Sequence, residues 1–400
     1  MSIAGPAVAE PRLDSWRAWT AAAGATLAAT VVYGIAYGYG QFFGPMSATF
    51  GTGMGAGSVV FSITMLFGFG MSALTGPLAD RIGPQVLLVA GASCIGIGLY
   101  LTSIAQDLWQ AYVTYGLGVG LGLAFVYVPV VTAIGRWFDR YRAIATGVVV
   151  AGVGIGTVVT APLSEAMVAG FGWRQAYETY AIGGAALLLL AAWAIGRPPC
   201  SADRTGPVSR VDTRGFGTIY LSTLLLSTVM YVPFAHLAAA AEWLGSTPGT
   251  AATLISVIGI SSIVGRLAIT AAAGRLGALV MYQGCHVAVG LSCLVWMAAS
   301  GFAGMLVFAV VIGLAYGGYS ALIPVVLAER FGIERLGTML GLLFTAIGAG
   351  AAIGPVLVGY AVEQSGSYTP ALTMLSVFGM LGAGIILTLR PRPAVRRWDG

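Results

Sequence analysis

The chain has 400 residues, of which 58% are hydrophobic and 8% charged, with a mean hydropathy of +0.89 and a formal net charge of +5. A soluble globular protein carries about a quarter of its residues charged, so this composition excludes one and points to a polytopic, all-α membrane protein. Every basic residue is an arginine, scattered rather than massed, which gives no basis for a nucleic-acid partner.

The first seventeen residues hold Glu10, Arg12, Asp14 and Arg17 but no apolar run closed by a cleavage site, so the first span itself is expected to serve as the insertion signal. Hydropathy and loop punctuation predict twelve membrane-spanning helices, near 18–43, 55–77, 84–104, 109–134, 143–168, 176–196, 216–239, 249–271, 278–300, 302–327, 337–361 and 370–390. A barrel would show short alternating strands, and none are visible. The polar stretch 197–215 divides the chain into two bundles of six helices, 18–196 and 216–390. A segment 1–17 and a tail 391–400 flank them.

Along the chain, Tyr33, Tyr37 and Gln41 recur every four residues and fall on one face of the first helix. Membrane anchoring and a wall for a small organic acid are both open to such tyrosines. The cysteines Cys94, Cys200, Cys285 and Cys293 lack metal-ligand spacing, and no cofactor or metal is expected. His236 is the histidine with a route to a central cavity, and it could hold a coupling proton. Glu165, Glu178, Glu242 and Glu363 all fall near span ends, leaving no acid at mid-membrane.

The eighth apolar run contains a lone Arg266. A cation there costs at least ~2.5 to 3.5 kcal/mol on the most lenient insertion scale, so something must offset it. Arg275, nine residues on, is roughly 13 Å further along the axis, beyond the reach of a snorkelling side chain. Arg266 is therefore expected to face a water-accessible cavity, where its fork can hold a carboxylate through two parallel bonds. The bland alternative is a structural arginine satisfied by backbone carbonyls.

With both termini cytoplasmic, seventeen arginines fall inside and only Arg174 outside. The positive-inside rule fixes that orientation in the expected cell membrane. The runs at 128–147 and 323–341 resemble each other, placing the fourth and fifth spans in correspondence with the tenth and eleventh at an offset of about 194. On that register Arg266 maps on to Ser72. Halves repeated in parallel are the architecture of a two-domain transporter with its site at mid-membrane. Tyr127 in one half and Tyr316, Tyr319 and Ser320 in the other sit in matching halves of the repeat.

The loop Gly76-Pro77-Leu78-Ala79-Asp80-Arg81-Ile82-Gly83 resembles the signature of the major facilitator superfamily, and the resemblance extends over nearly the whole chain. It implies the major facilitator fold of two six-helix bundles, a gating role for Gly76, Asp80, Arg81, Gly83 and Arg142, a central cavity lined by the helices of Tyr127, Tyr316, Tyr319 and Ser320, and no enzymatic activity. Asp80 can cap the neighbouring helix end and Gly83 permits the turn. Within that superfamily the chain is similar to the monocarboxylate transporter and oxalate:formate antiporter group. The pieces carrying this are Tyr37 to Phe43, Arg142 through Gly147, Val232 to Leu237, Ser262 to Arg266 and Ala328 to Gly332. The resemblance implies that Arg266 binds the substrate carboxylate. Ser262 stands where animal members carry an aspartate, and Gln41 falls near their lysine.

One guanidinium neutralises one carboxylate, and a dianion would leave a charge uncompensated in a low-dielectric site. The expectation is a monomeric carrier in the bilayer that moves small monocarboxylates, with protons as a further partner, by symport or anion exchange. A dicarboxylate antiporter of the oxalate/formate type and a drug or metabolite exporter are the alternatives.

Overall fold

The computed structural model describes residues 13–196, 215–332 and 336–390; the expected segment before Leu13, most of the linker and the tail lie outside them. Among the described residues there is no strand. The first span, Trp16–Phe50, breaks at Gly38. The second, Met54–Gly70 followed by Ser72–Ile82, bends by 43° at Met71. The third is Pro84–Ser103, and the fourth, Leu108–Trp137, includes a widened π turn at Tyr112–Leu117. The seventh, Phe216–Trp243, breaks at Tyr231. Pro248–Leu276, Ala278–Met297, Phe302–Phe331, Leu336–Ser365 and Tyr368–Leu387 complete the chain.

The fifth and sixth spans run as one helical stretch, Arg142–Ile195, that reverses at Gly172 alone. Its φ of 82° suits a residue without a β-carbon. The reversal shows in the packing on the first span. Gly152 lies against the carbonyl of Thr26, and Gly24 at the same height lies against Ala191 and Ala194. Among the described residues ten stretches are long and apolar enough to span; the bent second span adds one and the reversal at Gly172 another, giving the expected twelve.

Small residues make the seams, as close backbone approach in lipid requires. Gly152 and Gly156 sit on the carbonyls of Thr26 and Thr30, and Gly350 and Gly354 sit on those of Leu224 and Thr228. These four pairs repeat at a shift of 198, from Gly152 to Gly350 and from Thr26 to Leu224 alike. The loop glycines Gly83 and Gly277, both near φ +90°, are instead 194 apart. The difference of four residues is about one helical turn, carried by the bent second span beyond Met71.

Asp14 and Arg390, near the two limits of the described residues, are both held at helix ends. The Asp14 carboxylate accepts from the backbone N–H groups of Asp139, Arg140 and Tyr141 at the mouth of the fifth span. Arg330 reaches the carbonyl of Arg390. On the far face, Arg174 donates to the carbonyls of Ser103 and Ala105 at 2.7 and 2.8 Å, closing the end of the third span while stacking on Trp173. The one arginine on that face is thus a helix cap.

Candidate functional site

The site grows from two helix breaks that face each other. Pro233 lacks an N–H and so cannot bond the carbonyl of Val229, which takes the N–H of Tyr231 instead. The break turns Tyr231 and Phe234 inward. Opposite, the first span breaks at Gly38, and Gly40 comes so near the Phe234 carbonyl that a β-carbon would lie 2.7 Å from it. The Tyr37 ring then stacks on Phe234 at 4.1 Å, and its hydroxyl lies 3.1 Å from that of Tyr316 in the tenth span. Tyr33 meets Tyr37 at 5.2 Å and Tyr127 edge-on at 4.9 Å. Tyr231 closes the ring of aromatics at 6.3 Å from Tyr37 and 6.4 Å from Tyr316.

Arg266 enters this aromatic enclosure from the eighth span. It is 8% exposed, whereas its neighbour Leu267 is 72% exposed, so the helix turns its charge inward and its leucine to lipid. Nε donates to the Ser320 hydroxyl at 3.2 Å, and Nη1 donates to the Val150 carbonyl of the fifth span at 2.7 Å. The guanidinium carbon lies 5.7 Å from the centre of the Tyr316 ring. The Tyr316 hydroxyl also hydrogen-bonds the guanidinium, and no acid pairs with it among the described residues. Nε and Nη1 lie on different edges of the fork, so each edge already has one donor engaged by the protein.

The repeat shows what the scaffold puts here when no charge is needed. Gly116 and Gly120 pack on the carbonyls of Val60 and Thr64 as Gly313 and Gly317 pack on those of Ile258 and Ser262. By that register the partner of Arg266 is Gly68, not Ser72, and the partner of Ser320 is Leu123. Leu123 lies directly on Gly68, filling the space its twin leaves to a guanidinium and a hydroxyl. The register drawn from the loops missed this by the extra turn in the second span.

Other expected residues stand elsewhere. Ser262 turns its hydroxyl back to the Gly259 carbonyl at 2.8 Å, with its backbone against Gly317. Tyr319 stacks on Tyr282 at 5.4 Å inside the second bundle, beside His286, and stands apart from the aromatic ring around Arg266. Gln41 is buried beyond the break at Gly38, with no hydrogen bond to Arg266. His236 lies in the seam between bundles near the far face. Its Nε2 donates to the Pro355 carbonyl at 2.9 Å and lies 3.1 Å from the Ser58 hydroxyl, with Nδ1 buried and unpartnered.

Of the loop signature, Gly83 has φ +88° and ends the helix of Arg81, which is exposed, and Gly76 faces Val128. The Asp80 side chain lies outside what the structure describes. Arg142 donates to the Phe138 carbonyl at 3.1 Å, closing the loop before the fifth span. Tyr231, Phe234 and the Val150 carbonyl were not expected; Pro233 was the signal for the first two, and a backbone carbonyl leaves none.

Comparison with known proteins follows the same two-part plan. The Major Facilitator Superfamily profile matches residues 25–218 and again 215–399. Monocarboxylate transporter 13 of Rattus norvegicus is 28% identical over 391 residues, 95% of this chain and 90% of its own length. Monocarboxylate transporter 3 of the same organism is 29% identical over 381 residues, 89% of this chain and 76% of its own. The MFS transporter asaE of Aspergillus flavus is 26% identical over 336 residues, 82% and 76% respectively. Among solved structures, the nucleoside transporter NupG, in a point-mutant form, aligns with a TM-score of 0.74 at 14% identity, covering 93% of this chain and 99% of its own. A bacterial homologue of the human lysosomal transporter Spinster, inward-facing and unoccupied, aligns at 0.71 and 14% identity, covering 95% and 100%. Sequence and backbone agree over both halves: the chain belongs to the Major Facilitator Superfamily and is a transporter rather than an enzyme.

Proposed function

We propose that the protein carries small monocarboxylates across the cytoplasmic membrane by alternating access, with Arg266 binding the carboxylate. The observation that carries this is a buried arginine that faces aromatic walls drawn from both bundles and has no acid paired to it among the described residues. Relatives named as monocarboxylate transporters support the substrate class. A carboxylate engaging Nη1 and Nη2 in parallel would compete with the Val150 carbonyl for Nη1. That bond joins the two bundles, so substrate binding loosens a contact across the seam along which they must part.

In this reading 18–196 and 216–390 rock as two bodies around the site, joined by 197–215. The arginine asymmetry puts the face with both termini, and the segments 1–17 and 391–400, in the cytoplasm. The carrier works as a monomer. It uses proton symport or anion exchange, and His236 is the candidate proton carrier. Because the Pro355 carbonyl only accepts, Nε2 holds the imidazole's hydrogen, and a second proton on Nδ1 has an acceptor only once the seam opens.

The test is uptake into proteoliposomes across mono- and dicarboxylates, with and without a pH gradient, for the native chain and Arg266→Gln. Loss of monocarboxylate uptake in a variant that inserts and elutes normally is expected. Retained uptake, or oxalate preferred over lactate-like and benzoate-like monoanions, overturns the reading.

A further inference from the structure

The second span starts at Met54 with Gly53 as its N-cap residue, and no side chain of its own caps it. A helix N-terminus leaves backbone N–H groups without partners and carries partial positive charge. Here the missing acceptor comes from the other bundle. The N–H of Gly55 donates to the Glu363 carboxylate of the eleventh span at 3.1 Å.

The surroundings are shaped for that contact. Gly53 lies so close to the Glu363 carboxylate that a β-carbon there would collide with it. One turn away, a β-carbon at Gly359 would lie 2.7 Å from the Met54 carbonyl and 2.8 Å from the Gly55 Cα, so the two helix ends touch backbone to backbone. Glu363 is exposed on the far face, reachable by water, so its contact with Gly55 can be made and broken without moving a charge into hydrocarbon. The site around Arg266 lies deeper, and this seam stands between it and the far face.

We infer that Glu363 is a latch: by capping the second span from across the bundle interface, it holds the far face of the transporter closed. The latch rests on the two-bundle architecture and not on the identity of the substrate. Opening the far face separates the second and eleventh spans and leaves both the Gly55 N–H and the carboxylate to water. The latch therefore biases the resting carrier toward the state closed on that face, by roughly the margin of one charge-assisted hydrogen bond.

Spin labels on Ala48→Cys and Gln364→Cys, in the full chain with Cys94, Cys200, Cys285 and Cys293 replaced by Ser, report the width of the far face in proteoliposomes. The capped protein should give a dominant short distance. Glu363→Ala should raise the ratio of long to short distances about tenfold, and Glu363→Gln should raise it less. Gly53→Ala keeps the acid but displaces it, and should match Glu363→Ala. Native distance distributions in Glu363→Ala and Gly53→Ala, with monodisperse elution, overturn the latch. Should Glu363→Ala fail to fold, Gly53→Ala and Glu363→Gln decide by the same readout. The distances do not depend on any cargo, so a failed latch and a failed monocarboxylate assignment are told apart.

Discussion

Nη1 of Arg266 and the carbonyl oxygen of Val150 lie 2.7 Å apart, joining the eighth span to the fifth. The charge that would hold a guest is thus itself held by the opposite bundle. Its Nε is braced by Ser320 on the same side as its own helix, so the fork is aimed before any guest arrives.

Arg266→Lys keeps the charge but replaces a planar fork with a single ammonium that cannot brace on Ser320 and present two parallel donors at once. Apparent affinity for a monocarboxylate should fall at least about tenfold, with assembly unchanged. Uptake measured against substrate concentration, beside elution profiles, checks this.

Tyr316→Phe removes the hydroxyl that meets Tyr37 and the guanidinium of Arg266, and keeps the ring beside that guanidinium. A two- to tenfold rise in KM is expected, about the worth of one neutral hydrogen bond. Tyr319→Phe, in the separate cluster with Tyr282 and His286, should leave KM unmoved. Parallel kinetics on the two variants distinguish three residues' difference in sequence from two different environments.

Gly354→Ala puts a methyl group against the Thr228 carbonyl, where neither backbone can yield without parting the seventh and eleventh spans. Destabilisation of about 1 to 3 kcal/mol is expected, seen as a lower unfolding temperature in detergent. Gly384→Ala, at a glycine with open space around it, is the control and should change little.

His236→Gln retains an N–H donor for the Pro355 carbonyl but cannot take a proton. Exchange of labelled for unlabelled substrate should persist while stimulation by an imposed pH gradient disappears. Equal stimulation in native and variant protein would remove His236 from the coupling path.

Gly68→Arg with Leu123→Ser would rebuild, in the first half, the pairing that the second half makes with Arg266 and Ser320. A second cation should shift preference from mono- to dicarboxylates by about tenfold or more. Competition between oxalate and a monoanion measures it.

Much of this was legible without coordinates. Twelve apolar runs and a charge stranded in one of them follow from what lipid tolerates, and Arg266 stood out for that reason. The depth of Arg266 was legible from its distance to Arg275; its bond across the seam was not, because Val150 contributes only backbone. Tyr316 and Tyr319 looked alike, since both lie in a run small and aromatic on every side, and only packing against Tyr282 separates them. Ser72 was matched to Arg266 because the runs 128–147 and 323–341 align at an offset of about 194, the spacing that also separates Gly83 from Gly277, and a whole added turn of helix leaves hydropathy unchanged. The absence of a loop at Gly172 was hidden for a like reason, as a one-residue reversal has no polar signature.

Leu123 packs on Gly68 where the second half has Ser320 and Arg266, so the first half brings no charge to the matching position. In the proposed reading, a carboxylate bound at Arg266 and laid against the rings of Tyr33 and Tyr37 would have a distinguishable left and right. A pocket of that kind tells mirror images apart, and the two enantiomers of a 2-hydroxy acid should cross at unequal rates.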